Sequence, residues 1–113
     1  MQQIQVSDLA QWLAEPLRAS PIILDVRENW EFETAQIKGS VHIPMGQIMQ
    51  AYETLDKDKT IACLCHHGVR SMQVGFFLER QGFTVLNVRG GIDAWSRQID
   101  SSIALYWVTK LSY

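Results

Sequence analysis

Two short apolar stretches rich in β-branched residues, 21–27 and 60–64, constrain the fold of this chain most strongly. Neither shows the strict alternation of polar and apolar positions, so each fits a strand covered on both faces, as in a parallel sheet. Further strands are expected at residues 3–6, 41–43 and 83–88, with helical patterns between them. The alternation predicts an α/β fold with a central, mostly parallel, five-stranded sheet flanked by helices on both faces.

The helices are predicted from caps and apolar spacing. Ser7 offers an N-cap for the first helix, and Pro16 is expected to end or kink it. A short helix after residue 28 is expected to use Trp30 as its packing anchor. The helix over residues 71–81 is apolar almost all round and closed by Gly82, so it should be well buried.

The length and composition of the chain limit its domain number and its partners. A chain of 113 residues with 47% hydrophobic residues suits one compact domain with a real core. A net charge of −2 without a basic block predicts no nucleic-acid partner. No apolar run approaches transmembrane length, and the N-terminus lacks the pattern of a signal peptide, so no membrane association is expected.

A cysteine at the end of a predicted strand marks the candidate site. Cys65 follows residues 60–64, and a short loop leads from it to a helix N-terminus, where free N–H groups and the helix dipole favour negative charge. A thiolate there is stabilised and reactive at neutral pH. Gly68 lets the loop curl tightly, and Arg70 adds a fixed positive charge.

The other cysteine and the histidines have less specific interpretations. Cys63 lies inside the apolar strand and is expected to be a core residue. His66 and His67 could act as general acids or bases, or could be exposed polar loop residues. The two cysteines and these two histidines do not match the usual spacings of zinc ligands, so no metal is expected.

Cysteine spacing also bears on the compartment. Cys63 and Cys65 are separated only by Leu64, which makes them poor disulfide partners. A free reactive thiol suits a reducing environment, so the sequence predicts a cytoplasmic protein.

Two charged residues, Asp25 and Arg27, fall at the carboxyl end of the strand over residues 21–27. Open α/β sheets place their sites at this edge, so the two side chains could support the cysteine loop through hydrogen bonds. The alternative is a structural ion pair, in which Glu28 or Glu31 could take part. Both interpretations are open at this point.

The last segment, residues 101–113, follows the point at which the α/β pattern is complete, and it is strongly apolar. It is therefore interpreted as an extension of a domain that spans residues 1–100. It could pack back on that domain or form a partner surface, such as a homodimer contact, and the sequence does not decide between these.

Several stretches, in this order, resemble a single-domain rhodanese. They are LDVRE at residues 24–28 with Glu31 and Phe32, IKGS at 37–40 leading to Ile43 and Pro44, the loop at 65–71, and VRGGIDAW at 88–95. The resemblance covers about residues 3–98. It implies a central parallel sheet flanked by helices, and the transfer of a sulfane sulfur from a donor such as thiosulfate to cyanide or a thiol, with no organic cofactor.

The resemblance also implies roles for single residues. Cys65 would be the nucleophile that carries the sulfur as a persulfide, and Arg70 could guide an anionic donor. Asp25 and Arg27 match a mainly structural motif. A protein thiol or persulfide could be a partner. The loop amides that would cradle the terminal sulfur belong to His66, His67, Gly68, Val69, Arg70 and Ser71.

The chain departs from the family pattern at two positions, and the fold allows other functions. Gln36 stands where the family often has His, and His66 where Arg is common, which lowers the local positive charge. Related cell-cycle phosphatases have five residues between Cys and Arg, whereas four separate Cys65 from Arg70 here, a spacing suited to sulfur. A non-catalytic binding module is the main alternative, and arsenate reduction or phosphatase activity is a weaker one.

Overall fold

Five strands form one sheet in the computed structural model, which describes residues 1–107. The strand order is β1-β5-β4-β2-β3, and every neighbouring pair is parallel. The predicted five-stranded α/β sheet is confirmed, and it is parallel throughout. The strands are β1 Gln2–Ile4, β2 Ile22–Asp25, β3 Val41–His42, β4 Ile61–Leu64 and β5 Val85–Val88.

Helices cover both faces of this sheet. The α-helices are α1 Val6–Leu13, α2 Asn29–Thr34, α3 Ile48–Ala51, α4 Val69–Arg80 and α5 Gly91–Gln98, with 3₁₀ turns at Met45–Gln47 and Tyr52–Thr54. Helices α1 and α5 bury Leu9 and Trp95 against one face of the sheet, and α3 and α4 bury Ile48 and Leu78 against the other. Neighbouring positions of β4 divide between the two cores: Ala62 joins the first and Cys63 the second.

Three local predictions need correction. Helix α1 begins at Val6, directly after Gln5, and Ser7 does not cap it. Helix α4 begins at Val69 and not at residue 71, because Gly68 adopts a left-handed conformation (φ +109°) that turns the loop straight into the helix. Trp30 is 48% exposed and does not anchor α2, whose buried residue is Glu31.

The predicted extension, residues 101–113, is called the tail below, and its described part packs back on the domain as far as residue 106. Ile103 packs against the core on the α1–α5 face, and its carbonyl accepts a hydrogen bond from Ser96 Oγ. Tyr106 is buried. Residues 108–113 of the predicted extension lie outside the described residues, so a homodimer through the tail stays a prediction.

The register of the sheet gathers the loops that form the site. Asp25 pairs with Leu64 across β2 and β4, and Cys63 pairs with Asn87 across β4 and β5. The three strands therefore end at one edge, with the Cys65 loop between the loops that follow β2 and β5. None of the helices within residues 1–107 combines the length and apolar character needed to cross a bilayer.

Candidate active site

The Cys65 thiol lies inside the loop that joins β4 to α4. It is 1% exposed, and its Sγ accepts a hydrogen bond from the Gly68 N–H at 3.0 Å. Ser71 Oγ, in the first turn of α4, lies 3.3 Å from the same sulfur, but its one proton is also directed at Asn87 Oδ1, so the hydroxyl donates to one of these two acceptors at a time. The backbone N–H of Gly68, at the start of α4, is therefore the donor that the loop commits to Sγ.

The N-terminus of α5 holds the outer side of this loop. The Ile92 N–H donates to the Cys65 carbonyl at 2.9 Å, and the Asp93 N–H donates to the His66 carbonyl at 3.1 Å. Gly91 has φ +60°, and a Cβ there would collide with these two carbonyl groups. Glycine at this position thus allows the two loops to pack backbone against backbone.

Asn87 fastens the loop from the side of β5, a contact that the sequence did not predict. Its Nδ2 donates to the Gly68 carbonyl and to Gln3 Oε1, each at 3.1 Å. Its Oδ1 accepts a hydrogen bond from the Ser71 hydroxyl. The available signal was an amide side chain inside an otherwise apolar strand, since a buried amide needs several hydrogen-bond partners.

Arg70 is paired with a buried carboxylate. Its Nη1 and Nη2 bind Glu31 Oε1 and Oε2 at 2.6 and 2.8 Å. Burial alone raises the pKa of Glu31, but hydrogen bonds from Arg70, the Tyr106 hydroxyl and the Glu28 N–H outweigh it, so the pKa is lowered. The guanidinium charge predicted for the loop is therefore largely balanced by Glu31, another contact that the sequence did not predict.

Asp25 and Arg27 form a buried ion pair with each other. Arg27 Nε and Nη2 bind the two Asp25 carboxylate oxygens at 2.9 and 2.6 Å. Arg27 also donates to the backbone carbonyls of Glu31 and Ala35. The ion-pair interpretation agrees with this geometry, but the carboxylates of Glu28 and Glu31 are not the partners of Arg27 within residues 1–107.

Tyr106, from the tail, joins these charged pairs to the cysteine loop. Its hydroxyl donates to Glu31 Oε2 at 2.7 Å and accepts from Arg27 Nη1 at 2.9 Å. Its ring stacks on His66, with centroids 4.2 Å apart. Burial raises the pKa of the Tyr106 phenol, so the hydroxyl stays protonated and can donate. The sequence predicted no role for this residue.

The two loop histidines occupy different environments. His66 is buried under Tyr106, and burial, helped by the nearby His67, lowers its pKa, so its ring is neutral at pH 7. His67 is partly exposed, with Nε2 3.8 Å from Asp93 Oδ2. The loop histidines are thus not both exposed polar residues, and a role for either as a general acid or base stays a hypothesis.

Metal binding can be considered from the same geometry. His66, His67 and Asp93 each offer a ligand atom, and these atoms lie within 4.8 Å of one another. Asp93 Oδ2 already accepts a hydrogen bond from Arg97 Nε at 2.9 Å. Neither cysteine joins a metal-ligand group within residues 1–107.

Cys63 is fully buried in the core as predicted, and burial raises the pKa of its thiol to about 12.

Comparison with known proteins places these features in a family. The family model of the rhodanese-like domain matches residues 9–98 of this chain. The protein YtwF of Bacillus subtilis is 48% identical over 73 residues, which cover 65% of this chain and 71% of that one. The thiosulfate sulfurtransferase GlpE of Coxiella burnetii is 32% identical over 101 residues, covering 88% of this chain and 94% of that one.

Solved structures agree with this relationship. A rhodanese-like domain protein from Staphylococcus aureus superposes with a TM-score of 0.81 at 30% sequence identity, covering 95% of this chain and all of that one. A protein from Rhodopseudomonas palustris, described as a possible tyrosine phosphatase, has a TM-score of 0.71 at 21% identity, and this likeness concerns the fold alone.

Proposed function

Because this chain belongs to the rhodanese-like domain family, we propose that it is a sulfurtransferase that carries a sulfane sulfur on Cys65. The observation that carries the proposal is the Gly68 N–H donating to Cys65 Sγ within a loop closed by a helix N-terminus. Relatives named as thiosulfate sulfurtransferases support thiosulfate as one donor.

The proposed reaction has two halves. In the first, the Cys65 thiolate attacks the outer sulfur of thiosulfate; a new S–S bond forms, the S–S bond of thiosulfate breaks, and sulfite leaves with its electron pair. In the second, cyanide or a thiolate attacks the terminal sulfur of the Cys65 persulfide. Thiocyanate or a new persulfide then leaves, and the Cys65 thiolate is regenerated.

The loop supports both halves by stabilising negative charge on sulfur. The thiolate and the persulfide anion are each small centres that peptide N–H groups can surround. Contacts from Asn87 and from the N-terminus of α5 hold the loop carbonyls on its outer side. This preorganisation avoids a reordering of the loop in each cycle. A reducing cytoplasm suits the cycle, because Cys65 must return to the free thiolate.

The loop length favours sulfur over phosphate. Four residues separate Cys65 from Arg70, and the Arg70 guanidinium is already bound to both oxygens of Glu31. A phosphate ester needs a wider ring of donors and an arginine free for a bidentate contact. We therefore expect no measurable aryl-phosphate hydrolysis.

Steady-state kinetics of three proteins test the proposal. The native protein should turn over thiosulfate and cyanide, and Cys65→Ser should not, because a hydroxyl does not replace the thiolate. Cys63→Ala is the matched control: it should keep turnover and lose about 1 kcal/mol of stability through the small cavity.

The same experiment separates the alternatives. A folded native protein that binds thiosulfate but shows no turnover would favour the non-catalytic binding module. Aryl-phosphate hydrolysis that disappears in Cys65→Ser would favour a phosphatase. Equal loss of turnover in both cysteine variants would contradict a single nucleophile.

A further inference from the structure

A pocket of about 340 Å³ opens beside the Cys65 loop, at the edge formed by β1 and β5. Its lining contains no acidic residue; it combines the polar side chains of Gln3, His67, Asn87 and Arg89 with two glycines and the apolar Val69 and Met72. Cys65 itself does not line the pocket, but Gly68 does, and the Gly68 N–H donates to Cys65 Sγ. Gly68 therefore links the pocket to the loop that holds the reactive sulfur.

Arg89 supplies the charge of this pocket. It follows β5 directly, and its backbone N–H is held by the Ile4 carbonyl at 2.9 Å, which fixes the base of the side chain. The side chain is exposed, and within residues 1–107 it has no carboxylate within ion-pair distance. Its guanidinium is therefore available to a ligand.

The other arginines near the loop are not available in this way. Arg27 is bound to Asp25 and Arg70 to Glu31, and all four side chains are buried. His67 also lines the pocket, but Asp93 lies 3.8 Å from its ring. The sequence suggested Arg70 as the guide for an anionic donor; the geometry moves that expectation to Arg89.

We propose that this pocket binds the anionic group of a small sulfur compound, with Arg89 as its counter-charge. The proposal rests on the function proposed above. Thiosulfate meets the description through its sulfonate oxygens, and so does a thiol acceptor that bears a carboxylate. The amide nitrogen of Gln3 is a further donor, because Gln3 Oε1 is already used by Asn87.

Kinetics of Arg89→Gln test the proposal, with Arg80→Gln as the matched control. Arg80 is exposed at the C-terminal end of α4, so its removal changes the net charge equally but far from the pocket. Arg89→Gln should lower kcat/KM for thiosulfate about fivefold, the loss of one charge-assisted contact at an exposed site, and leave kcat nearly unchanged. The effect should shrink as ionic strength rises.

The acceptor arm identifies the source of the anion. A carboxylate-bearing thiol and a neutral thiol are compared as acceptors at saturating thiosulfate. If the pocket serves the acceptor, Arg89→Gln lowers kcat/KM for the charged thiol only, and the thiosulfate value stays unchanged. Arg89→Lys should recover part of whichever loss is seen, because it restores the charge.

Equilibrium binding keeps the pocket testable if turnover is absent. Thiosulfate, and separately a carboxylate-bearing thiol, are titrated by calorimetry into Cys65→Ser, which cannot react, and into the double variant Cys65→Ser/Arg89→Gln. Weaker binding of either compound by the double variant supports the pocket even if the proposed function fails. Kinetics that are the same in Arg89→Gln as in Arg80→Gln, together with equal binding of both compounds by Cys65→Ser and the double variant, would overturn the proposal.

Discussion

Removing one oxygen atom from the tail should destabilise the whole domain. Tyr106→Phe keeps the ring that stacks on His66 and deletes the hydroxyl that bridges Glu31 and Arg27. Both partners are buried and charged, so water does not readily replace the missing contact.

The size of the stability loss depends on which hydrogen bonds Glu31 and Arg27 retain in Tyr106→Phe. Glu31 retains the two contacts from Arg70, and Arg27 retains Asp25 and two carbonyls. Hydrogen bonds to charged groups contribute roughly 1.5–3 kcal/mol each, and the remaining contacts offset part of the double loss. We expect the free energy of unfolding to fall by about 2 kcal/mol, and Tm by about 8 °C.

Urea denaturation of Tyr106→Phe and of Tyr52→Phe measures the effect. Tyr52 packs edge-on against Phe77 and Phe83 and is only partly buried, so loss of its hydroxyl should change stability by less than about 0.5 kcal/mol. Equal stability losses in the two variants would refute the claim that Tyr106 ties the tail to the charged pairs.

Two further outcomes follow from the same contacts. The donors bound to Glu31 lower its pKa more than burial raises it, so the ionised carboxylate stabilises the fold at any pH above its ordinary pKa of 4.5, and this stabilisation is lost as the pH falls below 4.5. Glu31→Gln should therefore be less stable than the native protein at pH 7. In urea titrations the difference should shrink towards pH 3. Both Gly91 and Gly39 have positive φ, but only at Gly91 would a Cβ meet the Cys65 and His66 carbonyls. In urea titrations Gly91→Ala should therefore lose more free energy of unfolding than Gly39→Ala, and it should also lower turnover. Equal losses of stability would show that the close approach of the two loops is unimportant.

The strands and the buried cysteine could be predicted because their signal is local. The apolar runs of β2 and β4 specify strands covered on both faces, and Cys63 lies in the middle of one of them. The start of α4 was missed by two residues, because a left-handed glycine turns the chain into the helix sooner than a side-chain cap would.

The buried charged contacts beside the cysteine loop could not be predicted, because the residues that form them are far apart in sequence. Arg70 and Glu31 are 39 residues apart, and Tyr106 and Glu31 are 75 apart. A buried carboxylate needs a charged partner, but the sequence offers several arginines, and only the packed fold selects among them. Tyr106 lies beyond residues 9–98, so the family match does not cover it either.

Intact-protein mass spectrometry tests the central claim most directly. Native protein incubated with thiosulfate should gain the mass of one sulfur atom, and cyanide should remove it. Cys63→Ala should behave in the same way, whereas Cys65→Ser should gain nothing. A native protein that gains no sulfur, or a Cys65→Ser variant that gains one and releases it to cyanide, would contradict the assignment of Cys65 as the sulfur carrier.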